Sequence, residues 1–477
     1  MNTDTRRPVR IANVSGFFGD RLSAAREMVE GSASSEDAID VLTGDWLAEL
    51  TMLILARQRM KHGAGSGYAR TFLTQMEHVL GTCLDRGIRV VSNAGGLDPQ
   101  GCADSLREKA DALGLRPRIA VVTGDDLMGD LDNLRAAGEQ LRNLDTGETL
   151  DEAGAHLLTA NAYLGGEGIT RALAAGADVV ITGRVTDAAL VVGPAAWWHD
   201  WSYDPADQGN LDALAGAIVA GHAIECGTQV TGGNYSFFTE VPGLEHPGFP
   251  IAEVARDGSS VITKHQETGG LVSVGTVTAQ LLYEIGAPAY ANPDAIALFD
   301  TITLDEVGVN RVSISGVRGA APPSMLKVAG TYLGGFRNSL SLVITGLEPD
   351  AKADLVLRTI AGVGLAEAQR LSPGDLAAAS ILEVAELIVA WDRTGVLDAP
   401  DTASAQSHLR LTVRDTDPKK IGKPFTAAVV ESALATYPGM FPTTPPAEPA
   451  PYGVYWPTTV QRGHVATHVT VDGEVLR

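Results

Sequence analysis

The sequence predicts an α/β fold, a mostly parallel Rossmann-like sheet with flanking helices followed by a smaller α+β domain, on three observations. Six times in roughly the first 190 residues an apolar run ends in small and polar residues and a helical pattern takes over. Hydrophobic residues make up 45% of the 477 and charged residues 20%, so a large core can be buried. Beyond about residue 300 polar and apolar residues alternate, as in strands with one solvated face.

The elements follow in order. Val9-Arg10-Ile11-Ala12-Asn13-Val14 runs into Ser15-Gly16-Phe17-Phe18-Gly19-Asp20-Arg21, and Ile39-Asp40-Val41-Leu42 into Thr43-Gly44-Asp45-Trp46. Ile88-Arg89-Val90-Val91 meets Ser92-Asn93-Ala94-Gly95-Gly96, and Ile119-Ala120-Val121-Val122 meets Thr123-Gly124-Asp125-Asp126. Leu157-Leu158-Thr159 precedes Ala160-Asn161-Ala162-Tyr163, and Val179-Val180-Ile181 precedes Thr182-Gly183-Arg184. Buried parallel strands read this way, and βαβ units would bring every cluster to one edge of one sheet, where α/β proteins bind ligands. Helices are expected over 46–57, 71–84, 168–175 and 210–226, and from Asp98-Pro99, a cap and a first-turn proline, to a stop at Gly114.

Residues 232–270, rich in glycine, proline and aromatics, read as a long loop, and long loops in compact proteins are usually functional. Residues 311–317, 339–344 and 407–413 alternate as strands, with helices over 351–360 and 426–436, a proline-rich surface strap over 442–457 and a closing strand within 466–475. The change of pattern sets an α/β domain at 1–300 and an α+β sandwich-like domain at 301–477.

With 36 basic and 58 acidic side chains the formal charge is −22, which argues against nucleic acid as a partner. No run approaches the roughly 18 apolar residues of a membrane span, and no signal-peptide core follows the N-terminal arginines. Three scattered cysteines fit reduced thiols, so a soluble cytoplasmic protein, forming a homo-oligomer, is expected.

The strand-end residues Asp20, Arg21, Asp45, Asn93, Asp125, Asn161, Arg184 and Asp187 should converge if the sheet is as predicted. Each acidic or amide residue could instead cap the next helix, and each arginine could pair with Asp20 or Asp187. As ligand groups, Arg21 and Arg184 would clamp a carboxylate or phosphate. Spacing of three puts His222 and Glu225 on one helical face, ahead of Gln229 and Asn234. That pair suits general acid/base chemistry better than zinc; the alternative is a histidine bonded inside a helix–sheet contact. Asn93 with the amides of Gly95 and Gly96 could stabilise an oxyanion. Lys327, alone in an apolar run, reads as a lysine of lowered pKa or a snorkelling side chain. Gly165-Gly166-Glu167-Gly168 could offer amides to an anion, and Lys419 to Lys423 could meet a phosphate or be a solvated loop. No nucleotide or redox fingerprint is present.

The strings 12–21, 43–49, 93–96, 182–187 and 221–227, with Gly269-Gly270-Leu271-Val272-Ser273-Val274 and Leu281-Leu282-Tyr283-Glu284-Ile285, resemble the acyclic terpene utilisation protein A (AtuA) family. The matches run in order from about residue 10 to about residue 330. Some members carry a further small C-terminal domain, which the sequence to Arg477 is expected to lack and a separate small subunit could replace. The resemblance implies breakdown of branched or terpenoid acids handled as coenzyme A thioesters; it brings no settled reaction and no catalytic residues.

Together these readings lead to cofactor-independent hydration, dehydration or isomerisation of an acyl-CoA or branched carboxylate. His222, Glu225, Asp45 and Asn93 would be catalytic; Asp20, Arg21, Gly95, Gly96, Asn161, Arg184, Asp187, Gln229 and Asn234 would bind substrate. No metal is required, although Asp20, Asp45 and Asp187 could hold Mg²⁺. The rival expectation is a non-catalytic binding or scaffolding subunit of an acyl-CoA catabolic complex.

Overall fold

Neighbouring residues in the early runs bury themselves in opposite directions. Ile11, Val41, Val91, Ala120 and Val180 belong to one apolar cluster, and Ala12, Leu42, Val90, Val121 and Ile181 to another. A period of two with both faces apolar marks strands covered on both sides. The computed structural model describes residues 6–32, 38–63, 65–393, 401, 405–432 and 434–476. Its strands begin with β1 (Val9–Asn13), β2 (Val41–Gly44), β3 (Arg89–Ser92), β4 (Ile119–Thr123), β5 (Leu157–Ala162), β6 (Val179–Thr182), β7 (Pro250–Val254) and β8 (Ser260–Lys264). They continue with β9 (Ala289–Ala291), β10 (Ile296–Leu298), β11 (Thr303–Gly308), β12 (Arg311–Ser315), β13 (Arg318–Ala320) and β14 (Met325–Thr345). The last are β15 (Glu386–Asp392), β16 (Gln406–Asp415), β17 (Met440–Pro442), β18 (Ala450–Gln461), β19 (His468–Val471) and β20 (Glu474–Val475).

β1, β2, β3, β6 and β4 lie side by side in that order, all parallel. Helices Glu167–Ala174, Ala189–His199 and Gln208–Ile224 supply the first apolar cluster; Ala24–Gly31, Glu49–His62, Arg70–Arg86 and Pro99–Ala112 supply the second. Asp98 caps the last of these by accepting from the Gly101 N–H at 3.0 Å.

The sheet as a whole is mixed, which corrects the expectation of a mostly parallel one. Antiparallel strands extend it on both sides to the order β11-β12-β8-β7-β1-β2-β3-β6-β4-β19-β20. β7 and β8 arise inside the stretch expected to be a loop. They form a hairpin closed by the Ala255 N–H to Ser259 carbonyl bond, and a hairpin is antiparallel by construction. β5 leaves the parallel set and pairs with β14, where the Thr159 and Thr331 hydroxyls meet at 2.7 Å. β12 joins the large sheet, and β18 replaces much of the expected strap.

Two compact units result, Met1–Thr331 with Tyr455–Arg477, and Tyr332–Val454. In the second, β15, β16 and the far part of β14 pair antiparallel. Val356, Leu357 and Ile360 of helix Pro349–Ala361 share a core there with Leu340, Leu409 and Leu411. The three cysteines are unpaired. No helix among the described residues is long and apolar enough to cross a membrane.

Candidate functional site

Local rules at the carboxyl ends of the parallel strands assemble a cavity of about 700 Å³ within the first unit. At the end of β1, buried Asn13 donates its amide to the carbonyls of Ile224 and Glu225, at 2.6 and 2.9 Å, and so pins the end of helix Gln208–Ile224 to the strand. Gly16 lets the two backbones touch; a Cβ there would lie 2.4 Å from the Cys226 carbonyl carbon. The helix itself is apolar on all sides and buried, with Gly221 seated against Ala188, so its last turn is fixed in place.

That last turn carries His222 and Glu225. Glu225 Oε1 lies 2.9 Å from His222 Nδ1, and the imidazole rests on the rings of Tyr290 and Phe299 at 5.4 and 5.8 Å. His222 Nε2 and Glu225 Oε2 are buried and have no hydrogen-bond partner among the described residues, and both side chains lie on the cavity wall. A buried polar atom left unmatched costs about 1–3 kcal/mol. Burial alone would lower the His222 pKa, but Glu225, helped by the charges of Glu284 and Asp187, raises the net value; burial in turn raises that of Glu225 against the pull of His222. Each group of the pair therefore binds its proton more tightly than it would at its ordinary pKa.

A second network crosses the wall. Arg184, 2% exposed, donates to the Leu47 carbonyl at 3.0 Å, to Asp187 at 2.5 Å and to the Tyr163 hydroxyl at 3.1 Å, with its guanidinium 4.3 Å over the Tyr163 ring. Tyr163 donates to Glu49 at 2.7 Å, and the Lys327 ammonium stands 3.5 Å from the same carboxylate. Burial would raise the Glu49 pKa, yet the Tyr163 hydroxyl and the Arg184 charge bring it below the ordinary value. Asp45 is held well above the carboxylate range by burial and then by the charge of Asp187; Asp187 is raised by burial despite Arg184.

Of the residues singled out from the sequence, Asp20, Asp45, Arg184, Asp187, His222, Glu225 and Gln229 line this one cavity. Others stand elsewhere. Asn93 lies behind Asp45, donating to it at 2.6 Å. Asn161 donates to Asp125 at 2.8 Å, and the Arg184 N–H reaches the same Asp125 oxygen at 2.7 Å, so Asp125 ties together the ends of β4, β5 and β6. Gly95 and Gly96 are packing glycines, Gly95 against the Thr182 carbonyl and Gly96, at φ +52°, against Leu55. Arg21 donates to the Pro247 carbonyl at 2.8 Å and pairs with Glu27 at 3.2 Å; Asn234 is exposed, away from the cavity. The Gly166 amide is satisfied by the chain's own Asp294, at 2.8 Å. Lys419 and Lys420 line a separate groove of about 630 Å³ in the second unit, where Lys420 lies 3.4 Å from Asp415.

Asp20, Asp45 and Asp187, offered to Mg²⁺ by the sequence, are each engaged. Asp20 accepts from the Gly16 and Arg21 N–H groups at 2.9 and 2.8 Å, Asp45 from Asn93, and Asp187 from Arg184. Among the described residues no three histidine, cysteine or acidic side chains are grouped to hold a metal ion.

Sequence reasoning passed over Glu49, Tyr163, Tyr290 and Glu284, which also line the cavity. A signal existed for two of them: Tyr163 directly follows the polar end of β5, and Glu49 lies four residues after Asp45, at the first position of helix Glu49–His62.

A family model described as acyclic terpene utilisation family protein AtuA matches residues 9–471 of the chain. No curated protein and no solved structure matches it.

Proposed function

Because the chain belongs to the acyclic terpene utilisation AtuA family, we propose that it is an enzyme of terpenoid catabolism that moves protons on a branched acyl substrate held in the cavity of the first unit. The observation that carries this reading is the buried His222–Glu225 pair. One imidazole nitrogen is held by the carboxylate, and the other is unpartnered at the wall. An imidazole oriented in this way is a general base or acid near neutral pH. Asp45, whose pKa burial raises well above the carboxylate range, is the complementary acid on the same wall.

In the dehydration direction His222 Nε2 takes a proton from carbon and the Asp45 carboxyl gives one to the departing hydroxyl, so that water and a carbon–carbon double bond form. Hydration is the reverse. Return of the carbon-bound proton to a different carbon of the same system is isomerisation. Leu47, Ala48, Pro323, Met325 and Leu326 give the cavity an apolar side suited to a branched hydrocarbon.

The test is turnover of branched 3-hydroxyacyl thioesters and the matching free acids, followed by the absorbance of the conjugated product. His222→Gln should lower kcat by roughly 10²- to 10⁴-fold with an unchanged melting temperature. Full activity in that variant, or none in the wild type, would overturn the proposal; the second result is the one a scaffolding subunit gives.

A further inference from the structure

We infer that Lys327, and not Arg184, holds the anionic end of the molecule this cavity takes, a carboxylate or a phosphate; the inference rests on the cavity being the substrate site. Two permanent cations line it. Arg184 is committed: its side chain is 3% exposed and its guanidinium donates to a carboxylate, a carbonyl and a hydroxyl of the chain itself. Turning it toward a ligand would leave Asp187 and the buried Leu47 carbonyl without the donor they share.

Lys327 is arranged differently. Its side chain is 48% exposed, its carboxylate partner Glu49 stands at 3.5 Å, the limit of a hydrogen bond, and Glu49 already accepts the Tyr163 hydroxyl at 2.7 Å. The ammonium sits over two aromatic rings, 4.8 Å from Tyr163 and 5.8 Å from Tyr455, and its contacts with the Tyr455 hydroxyl and Glu49 engage at most two of its three N–H donors. A cation placed by ring faces, with one N–H donor left over and open to a cavity of about 700 Å³, is built to receive an anion from outside the chain. Met325 and Leu326 directly before it offer apolar contact to the carbons next to that anion.

The experiment is a calorimetric titration of wild type and Lys327→Met with citronellate, a branched acyclic acid, its methyl ester and its coenzyme A thioester. Loss of one charge-assisted hydrogen bond should weaken binding of the acid about 10- to 100-fold and leave the ester unchanged. A loss confined to the thioester assigns the same ammonium to a phosphate. Equal affinities in wild type and variant on both anionic arms, or a wild type that binds neither anion, overturn the inference. If Lys327→Met does not fold, lysine acylation of the wild type read by mass spectrometry decides. The acid or the thioester must protect Lys327, and labelling unaffected by both overturns it. Failure of the acid/base reading shows separately, as full turnover by His222→Gln.

Discussion

Asn93 donates its side-chain amide to Asp45 Oδ1 at 2.6 Å and accepts the Trp46 backbone N–H at 2.8 Å. Both ends of a fully buried amide are therefore spent on holding the turn that presents Asp45, which makes Asn93 a positioning residue in the proposed chemistry. Asn93→Ala leaves the Trp46 N–H without its partner and should destabilise the protein by about 1–3 kcal/mol, with turnover falling as Asp45 loses its support. Calorimetric melting and kinetics check it together. A variant that melts like wild type but is inactive would make Asn93 a reacting group instead.

The pH dependence of kcat/KM follows from the His222–Glu225 pair. Burial acts to lower the His222 pKa, and the charge and hydrogen bond of Glu225, with the charges of Glu284 and Asp187, together raise it, so the net value lies above the ordinary 6.5. A step that needs neutral imidazole therefore gains rate as pH rises through a midpoint above that figure. In Glu225→Gln the opposing carboxylate is gone and burial remains, so the midpoint must move to lower pH. A midpoint that stays or climbs in the variant would show that another group titrates.

How legible this was depends on what each residue answers to. The parallel strands could be read because Ile11 and Ala12, or Val90 and Val91, must both be apolar in a sheet covered on two faces. Clustering of Asp45, Arg184 and Asp187 then followed from sheet geometry. β7 and β8 were hidden because Pro247-Gly248-Phe249-Pro250 at one end and Gly269-Gly270 at the other look like loop, while Ile251, Ala252 and Ile262 between them are too few to set a period. The partner of β5 is not written in its short apolar run, since pairing with β14 is decided by distant residues such as Thr331. The same gap hid the network around Lys327: its distance to Glu49 spans 278 positions, and no local pattern encodes it.

Asp125 gives a stability prediction with a definite sign. Burial raises its pKa from the ordinary 3.8 to about 6, against the bonds it accepts from the Arg184 N–H and Asn161. For an acid raised on folding, the native state binds the extra proton. Stability is therefore lost as pH climbs through the interval and is fully lost above the folded value, about 3 kcal/mol at roughly 1.4 kcal/mol per unit. The Asp125→Asn side chain keeps an acceptor oxygen and cannot ionise. Unfolding free energies of the two proteins should therefore shift in favour of the variant by about that amount between roughly pH 4 and 7. A constant difference across that range would mean that Asp125 titrates normally.

Gly16 separates packing from chemistry at the site. Its added Cβ would stand 2.4 Å from the Cys226 carbonyl carbon, 2.6 Å from its oxygen and 2.8 Å from the Gly227 nitrogen, all backbone atoms that cannot rotate away. Gly16→Ala must push the end of helix Gln208–Ile224 from β1, weakening the Asn13 bonds to Ile224 and Glu225 and carrying the His222–Glu225 turn away from the rest of the cavity wall. Overpacking of this kind costs about 1–3 kcal/mol, a modest loss for a protein of this size. Turnover should fall much further, since proton transfer needs its groups within hydrogen-bond reach. Gly63→Ala is the control, because that glycine caps the C-terminal end of helix Glu49–His62 but nothing stands within 4 Å of its Cβ position. It should lower stability through its positive φ of +84° and leave kcat as it was. Equal losses of turnover in the two variants would place the effect in general destabilisation and remove Glu225 from the argument.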